Sequence, residues 1–252
     1  MTAGAAPPRG EQPVRIAMWS GPRNLSTALM RSFENRGDCA VVDEPFYAAY
    51  LTLTGLAHPM REEILRHHQA DWRSVAADLA GSKADGRAIL YQKHMTHHML
   101  PEIGRDWMAD SRHAFLIRHP ARVLASYAAK REPADLRDIG FLEQAELFDA
   151  AADLAGRAPP VIDADTLLAD PPKILRRLCD ALGITFSERM LSWPAGPRES
   201  DGVWSPHWYE AVNRSTGFEP AKPMPKLEDP ALLRLEEQAL PLYAKLARYA
   251  LS

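Results

Sequence analysis

Residues 18–30 read M-W-S-G-P-R-N-L-S-T-A-L-M, and this segment decides the fold of the chain. An apolar run leads into a Gly-Pro turn, and an arginine and two hydroxyl residues follow where a helix is expected to begin. A helix N-terminus offers unpaired backbone N–H groups and the positive end of the helix dipole, so it attracts anions. The segment therefore predicts a loop that holds a phosphate or a sulfate group. It lacks the G-x-x-x-x-G-K-[ST] pattern of a Walker A loop.

Short apolar runs recur along the chain, with helical patterns between them. Such runs are typical of strands that are buried on both faces of a sheet. Strands that alternate with helices indicate βαβ units, so we predict an α/β fold of the P-loop type. Its three layers are a central, mostly parallel sheet of about five strands flanked by helices. The predicted strands are Val14–Trp19, Ala40–Val42, Ala88–Gln92, His113–Ile117 and Pro160–Asp163.

The organisation of the chain follows from this pattern. We expect a disordered tail over residues 1–13, which are rich in Ala, Pro and Gly, and then a single domain over residues 14–252. A helical insertion, 48–85, separates the second and third strands and is a candidate lid over the acceptor. Residues 192–225 form an excursion rich in Trp and Pro. The first helix has Asn24 as its expected N-cap.

Composition excludes several classes of protein. The net charge of −3 provides no basic field, so nucleic acid is not an expected partner. No apolar run reaches the length of a membrane span, and the N-terminus lacks the pattern of a signal peptide. The two cysteines, Cys39 and Cys179, lack the spacing of metal ligands. We therefore expect a cytoplasmic protein without a metal.

The first loop supplies most of the candidate anion-binding residues. A guanidinium group and two hydroxyl groups add donors to the free amides of the first helical turn. The alternative is that the arginine lies on the surface and the hydroxyl residues merely start a helix. The candidate set is Gly21, Pro22, Arg23, Asn24, Leu25, Ser26 and Thr27.

A second anion site is predicted after the fourth strand. Arg118 ends this strand, and Ser126 lies eight residues later, about two helical turns along the chain. An arginine at the end of a buried strand is costly unless it meets an anion or a carboxylate. One phosphate could accept hydrogen bonds from both residues. The alternative is an ion pair for Arg118 and a packing role for Ser126.

Together, the two sites resemble the sulfotransferase family that uses 3′-phosphoadenosine 5′-phosphosulfate (PAPS). The first loop of that family reads like Y-P-K-S-G-T-T, and here Arg23 replaces the lysine. The second motif reads R-N-P-x-D-x-x-x-S, and Arg118, Pro120 and Ser126 match it in register. The stretch Val161–Pro171 is similar to a third segment of the family, in which a strand is followed by E-D-L and D-P.

The resemblance implies roles for these residues. Arg23, Ser26, Thr27 and the nearby amides would bind the 5′-phosphosulfate, whereas Arg118 and Ser126 would bind the 3′-phosphate. The chemistry needs no metal, and its nucleotide product is adenosine 3′,5′-bisphosphate (PAP).

The family often closes its nucleotide site with a late basic segment containing Gly. The segment Arg214, Ser215, Thr216 and Gly217 is the candidate for that role, although the usual R-K-G-x-x-G string is absent. The alternative is that this region belongs to a small aromatic core around Trp204 and Trp208.

The resemblance also directs the search for a catalytic base, which removes the acceptor's proton. In many cytosolic members a histidine fills this role in a K-T-H pattern, but here Lys93 is followed two residues later by Met95. Carbohydrate-type members use a glutamate just after the second strand, and Glu44 matches it. We therefore predict Glu44 as the base, with Lys93 and Arg23 stabilising the developing charge. The alternative for Glu44 is a capping or ion-paired carboxylate.

Three histidines follow Lys93 at i, i+3 and i+4 spacing, which is the spacing of residues on one side of a helix. They are His94, His97 and His98. The spacing could hold a metal, but no H-E-x-x-H pattern or cysteine supports one. His98 remains an alternative base.

The predicted function is sulfuryl transfer from PAPS to a hydroxyl or amine of a small-molecule, carbohydrate or lipid acceptor. One alternative is a P-loop nucleotide kinase or NTPase, because Ala40–Glu44 is similar to a Walker B strand. A second alternative is a module that binds the nucleotide without catalysis.

Overall fold

The chain, described by a computed structural model over residues 12–81, 84–129 and 135–252, is built around one parallel sheet. The predicted tail, 1–13, lies outside this part except for its last two residues. The strand order is β2-β3-β1-β4-β5, and every pairing is parallel. The strands are β1 (Val14–Ser20), β2 (Cys39–Asp43), β3 (Ile89–Met95), β4 (Arg112–Ile117) and β5 (Val161–Asp163).

Helices cover both faces of the sheet, which confirms the predicted α/β architecture. Along β1, Ile16 and Met18 point into a core that contains α1 and α8, whereas Ala17 and Trp19 point into the opposite core with α4, α6 and α11. The helices are α1 (Ser26–Glu34), α2 (Tyr47–Thr54), α3 (Arg61–His67), α4 (Trp72–Gly81), α5 (Pro120–Ala128), α6 (Phe141–Ala155), α7 (Ala164–Ala169), α8 (Pro171–Ala181), α9 (Ser205–Trp208), α10 (Glu210–Arg214) and α11 (Pro230–Ala247).

The third strand is longer than its sequence pattern predicts. It continues past Gln92 to Met95, because β1 pairs with it as far as the Ser20–Met95 pair. This extension places His94 in the strand, and His97 and His98 in the short 3₁₀ turn that follows. The expectation that the three histidines share a helix is therefore wrong.

The first helix begins differently from the prediction. Asn24 is not the N-cap: its side-chain amide donates to the carbonyl of Leu116 on β4, at 3.1 Å, and the residue is buried. Leu25 instead precedes the helix, in the left-handed conformation with φ at 66°. A buried amide must find a partner, and the neighbouring strand end supplies one that a local capping rule does not include.

Two glycines allow the first loop to lie against the start of α6. A Cβ on Gly21 would lie 2.8 Å from the carbonyl oxygen of Ile139. Gly140 precedes α6 with φ at 71°, and its Cβ would lie 2.8 Å from Thr96 Oγ1 and 3.3 Å from the Cα of Gly21. The loop, the turn after β3 and the start of α6 therefore pack backbone against backbone.

Within the described residues, no helix has the length and apolar character needed to cross a bilayer.

Gly140→Ala tests this contact, with Gly156→Ala as the matched control. Both glycines flank α6 with positive φ, but a Cβ at Gly156 meets nothing within 4 Å. We expect Gly156→Ala to lower the free energy of unfolding by about 1 kcal/mol, from backbone strain alone. Gly140→Ala should lower the free energy of unfolding by roughly 1–3 kcal/mol more than Gly156→Ala does, because its Cβ overpacks the contact. Urea unfolding followed by circular dichroism measures both, and equal losses would contradict the close contact.

Candidate active site

A cleft of about 680 Å³ lies at the carboxyl ends of the parallel strands. This is the edge at which open α/β sheets bind their ligands, because the loops that follow the strands converge there. The walls come from the first loop, from the ends of β2 and β3, from α5, and from a late segment. The predicted residues that line the cleft are Pro22–Thr27, Glu44, Lys93, His98, Arg118, Ser126, Ser215 and Gly217.

The two predicted anion sites meet in this cleft. Arg23 Nε donates to Ser126 Oγ at 2.9 Å, and Arg118 Nη1 donates to the carbonyl of Arg23 at 2.8 Å. Arg118 Nε is buried and has no hydrogen-bond partner among the described residues. Both residues are half-buried, and burial lowers the pKa of both guanidinium groups. These residues form a compact cationic group that can bind an anion.

The backbone of the first loop is held in an uncommon conformation. Both Arg23 and Leu25 have positive φ, 64° and 66°, and this conformation costs a non-glycine residue about 1–2 kcal/mol. Leu25 occupies the position at which the Y-P-K-S-G-T-T motif has its glycine. Its backbone is left-handed although glycine, which favours that conformation, is absent. Residues held in this way concentrate at ligand sites. The first amides of α1 have no partner within the helix, and they remain available to an anion.

A buried charge network lies in the same cleft. Lys93 Nζ donates to Asp43 Oδ1 at 2.8 Å, to Glu44 Oε1 at 2.5 Å and to Tyr209 Oη at 2.7 Å. The Lys93 side chain is 1% exposed. Burial alone would lower the pKa of this ammonium, but the two carboxylates outweigh it and raise the pKa. Lys93 is therefore a charged group with all three of its N–H donors in use.

Glu44 is the carboxylate of the network that reaches the cleft. It follows β2 directly, its side chain is 11% exposed, and its φ is 42°. Burial raises the pKa of Glu44 and the charge of Asp43 raises it further, whereas Lys93 opposes both effects. Glu44 combines a strained backbone, a perturbed pKa and access to the cleft, which are properties of catalytic carboxylates.

Asp43 and Tyr209 belong to this network but were missed at the level of sequence. Tyr209 Oη donates to Asp43 Oδ2 at 2.7 Å and accepts from Trp204 Nε1 at 3.1 Å. Asp43 adjoins Glu44 in the V-D-E string, so its neighbour could have pointed to it. Tyr209 has no such local signal, because it enters the site from the distant excursion over residues 192–225.

The histidines have environments that differ from one another. His98 stacks between Tyr47 and Tyr50, with ring centroids 4.6 Å and 4.9 Å away, and it lines the cleft with His97. Burial lowers the pKa of His98 well below its usual value, so its imidazole is neutral and a weak base. His94 stacks on Trp19 at 4.4 Å, and burial lowers its pKa to about 3. Among the described residues, no three metal-ligating side chains cluster.

The late segment reaches the cleft further along the chain than the sequence pattern suggests. Arg214 and Thr216 lie outside the lining, and Arg214 forms an exposed pair with Glu210. The lining continues from Gly217 to Pro223. Arg122 holds this segment, because its Nη1 donates to the carbonyl of Pro223 at 3.3 Å while its Nε pairs with Asp165 at 2.8 Å. Trp204 and Trp208 pack in one aromatic cluster with α2 and α3.

Comparison with known families gives one match that covers almost the whole chain. The model of the family described as "Sulfotransferase domain" matches residues 14–250.

Two curated relatives from Arabidopsis thaliana carry other names. Branched-chain-amino-acid aminotransferase-like protein 1 is 40% identical over 235 residues, which are 92% of this chain and 41% of the relative. The corresponding values for protein 2 are 38% identity, 90% of this chain and 40% of the relative. The chain thus spans about two fifths of the length of these relatives.

Similar solved structures are sulfotransferases by title. The sulfotransferase domain of the Synechococcus PCC 7002 olefin synthase has a TM-score of 0.60 at 20% identity, and the match covers 97% of this chain and 98% of that domain. The sulfotransferase from Alicyclobacillus acidocaldarius has a TM-score of 0.57 at 15% identity, and the match covers 93% of this chain and 94% of that protein. At these identities the likeness establishes the shared fold.

Lys93→Met tests the buried network. Without the ammonium, two buried carboxylates lose their counter-charge, and we expect unfolding to cost about 3–5 kcal/mol less than in the unaltered protein at pH 8. Lys93 lowers the pKa of Glu44 against the raising effect of burial, so without it the pKa of Glu44 rises further above the unfolded value, folding takes up protons and stability falls as pH rises. Urea unfolding should therefore show a smaller loss at pH 5.5 than at pH 8.

The control for this variant is Lys245→Met. Lys245 pairs with Asp149 on the surface, with side chains 40% and 56% exposed, and an exposed pair contributes about 0–1 kcal/mol. An equal loss for Lys93→Met at both pH values would argue against a charge-based network.

Proposed function

Because the chain belongs to the sulfotransferase domain family, we propose that it transfers a sulfuryl group from PAPS to a hydroxyl or amine of an acceptor. The observation that carries the proposal is that two chemically different groups of residues line one cleft. The group of Arg23, Ser126 and Arg118 is suited to an anionic donor, and the Glu44 carboxylate is suited to deprotonate an acceptor.

The donor end fits a nucleotide that carries two separate anionic groups. The free amides of the first turn of α1, with Ser26 and Thr27, would hold the 5′-phosphosulfate. Arg118 and Ser126 would hold the 3′-phosphate. Arg118 Nε, which has no hydrogen-bond partner among the described residues, could donate to it. Arg23 already donates to Ser126, so it would serve both anions rather than the 5′ group alone. No step in this scheme requires a metal.

The reaction itself needs a base opposite the sulfur. Glu44 takes the proton of the acceptor hydroxyl or amine while that oxygen or nitrogen forms its bond to sulfur. The bond from sulfur to the phosphate oxygen breaks at the same time, and PAP leaves with the electron pair of that bond. The raised pKa of Glu44 favours this role, because a base is most effective when its pKa approaches the working pH. His98, with its lowered pKa, is the weaker candidate.

The acceptor would enter beside Tyr47, His58, His97 and Trp208, which line the cleft next to Glu44. Small molecules, carbohydrates and lipids with a hydroxyl or amine are the candidate acceptors. We further propose that the protein acts in the cytoplasm, where its two buried free thiols, Cys39 and Cys179, would stay reduced.

Calorimetric titration tests the donor. We expect PAP to bind tightly and ATP with Mg²⁺ to bind weakly, because the loop lacks the Walker A lysine that an ATP site uses. Arg118→Ala should weaken PAP binding by about 10–100-fold, as a charged hydrogen-bonding group is worth roughly 1.5–3 kcal/mol. The matched control is Arg177→Ala, an exposed position on α8. Preference for Mg-ATP would instead favour a kinase or NTPase.

Glu44→Gln tests the base. The variant keeps the shape of the side chain but cannot accept the proton, so kcat for sulfuryl transfer should fall by about 10²–10⁴-fold. PAP affinity should be retained, since Arg118 and Ser126 rather than Glu44 would hold its 3′-phosphate. The control is Glu237→Gln, an exposed position on α11. Retained turnover in Glu44→Gln would favour His98 as the base. If the unaltered protein binds PAP but shows no turnover, a module that binds the nucleotide without catalysis is favoured.

A further inference from the structure

We infer that Asp43 and Tyr209 are positioning residues, which hold the Glu44 carboxylate in place through the Lys93 ammonium and set its charge environment. The inference rests on the proposed function, in which Glu44 is the base. It gives the reaction two further residues, and one of them comes from the excursion over residues 192–225.

All three N–H donors of Lys93 are in use. An ammonium has three N–H groups, and here they go to Asp43, Glu44 and Tyr209 at 2.5–2.8 Å. None of them remains for the oxygen that bridges sulfur and phosphate in the donor. Lys93 therefore contributes by fixing Glu44 rather than by contacting the leaving group.

Asp43 fixes the ammonium from the side away from the acceptor. Its Oδ1 accepts from Lys93, and its Oδ2 accepts from Tyr209 Oη at 2.7 Å and from the amide of Gly202 at 3.2 Å. The side chain is 1% exposed, and it borders a second cavity rather than the reaction cleft. Asp43 cannot touch the acceptor and must act through Lys93 and Tyr209.

Tyr209 joins both carboxylates to the late segment. Its Oη lies 2.7 Å from Asp43 Oδ2 and 3.4 Å from Glu44 Oε1, and it accepts from Lys93 and from Trp204 Nε1. Trp204 is 1% exposed and is wedged into the aromatic cluster with Tyr47. The position of Glu44 therefore depends on how the excursion packs against α2.

The charges around Glu44 predict opposite effects for the two residues. Asp43 faces it from β2, Lys93 from β3, Tyr209 from the link between α9 and α10, and Tyr47 from α2. Burial raises the pKa of Glu44, Lys93 lowers it, the charge of Asp43 raises it, and the Tyr209 hydroxyl 3.4 Å away lowers it. Asp43→Asn should thus lower the Glu44 pKa, and Tyr209→Phe should raise it.

The experiment compares the pH dependence of kcat for Asp43→Asn, Tyr209→Phe and the unaltered protein. Activity requires ionised Glu44, so its acid limb should move to lower pH in Asp43→Asn and to higher pH in Tyr209→Phe. Loss of positioning should lower kcat by about 10–100-fold in each variant, with KM changed by less than about threefold. A merely structural role would leave the acid limb where it is.

Tyr243→Phe is the matched control. Tyr243 Oη donates to Asp163 Oδ2 at 2.7 Å, the same distance as the Tyr209–Asp43 bond, but outside the cleft. It should leave the acid limb and kcat unchanged, although stability can fall. Thermal unfolding of all variants shows whether each is folded. If Asp43→Asn does not fold, the shift of the acid limb in Tyr209→Phe, compared with Tyr243→Phe, tests the inference.

A second readout separates this inference from the proposed function. Carbon-13 NMR of the glutamate side-chain carboxyl groups, with the Glu44 signal identified by its loss in Glu44→Gln, reports the Glu44 pKa without any turnover. Opposite shifts in the two variants support the inference even if no sulfuryl transfer is detected. Shifts in the same direction, or no shift in either variant, overturn it whether or not the protein is a sulfotransferase.

Discussion

One buried ammonium ties together the parts of the chain that make up the candidate site. Lys93 comes from the third strand, its carboxylate partners come from the end of the second, and Tyr209 comes from the excursion far along the chain. Burying an unpaired charge is prohibitive, so each partner must be in place for the ammonium to be tolerated. The network therefore imposes a geometry on three segments that no local preference of the backbone would bring together.

The first loop, which lines the same cleft, depends on close backbone packing. Gly21 and Gly140 allow the first loop, the turn after β3 and the start of α6 to touch. The left-handed residues of the loop cost free energy that the surrounding contacts must offset, and the Asn24 side chain anchors the loop to β4. A loop held in this way presents its free amides and the Arg23 guanidinium in fixed directions. Preorganised donors of this kind bind an anion without having to be ordered first.

Much of the fold follows from simple patterns. Alternating apolar runs and helical segments predicted the parallel five-stranded sheet, because strands buried on both faces must be apolar throughout. Order along the chain also placed Arg23, Glu44, Lys93 and Arg118 at strand ends, and parallel strands bring such ends to one edge of the sheet. Predictions were wrong where a contact with a distant segment replaced a local preference. The Asn24 amide donates to β4 instead of capping α1, and pairing with β1 extends β3 to include His94.

What the sequence by itself determined is the layered architecture, the loop between β1 and α1 and the set of charged residues at the edge of the sheet, since these follow from periodicity and from the termini of strands and helices. Only the tertiary structure decided which groups pair. It joined Arg23 to Ser126, enclosed Lys93 between Asp43 and Glu44, brought Tyr209 into that network and left Arg214 on the surface. Hydrogen-bond partners are chosen by distances of a few ångströms between segments that lie far apart along the chain, and no local pattern encodes those distances.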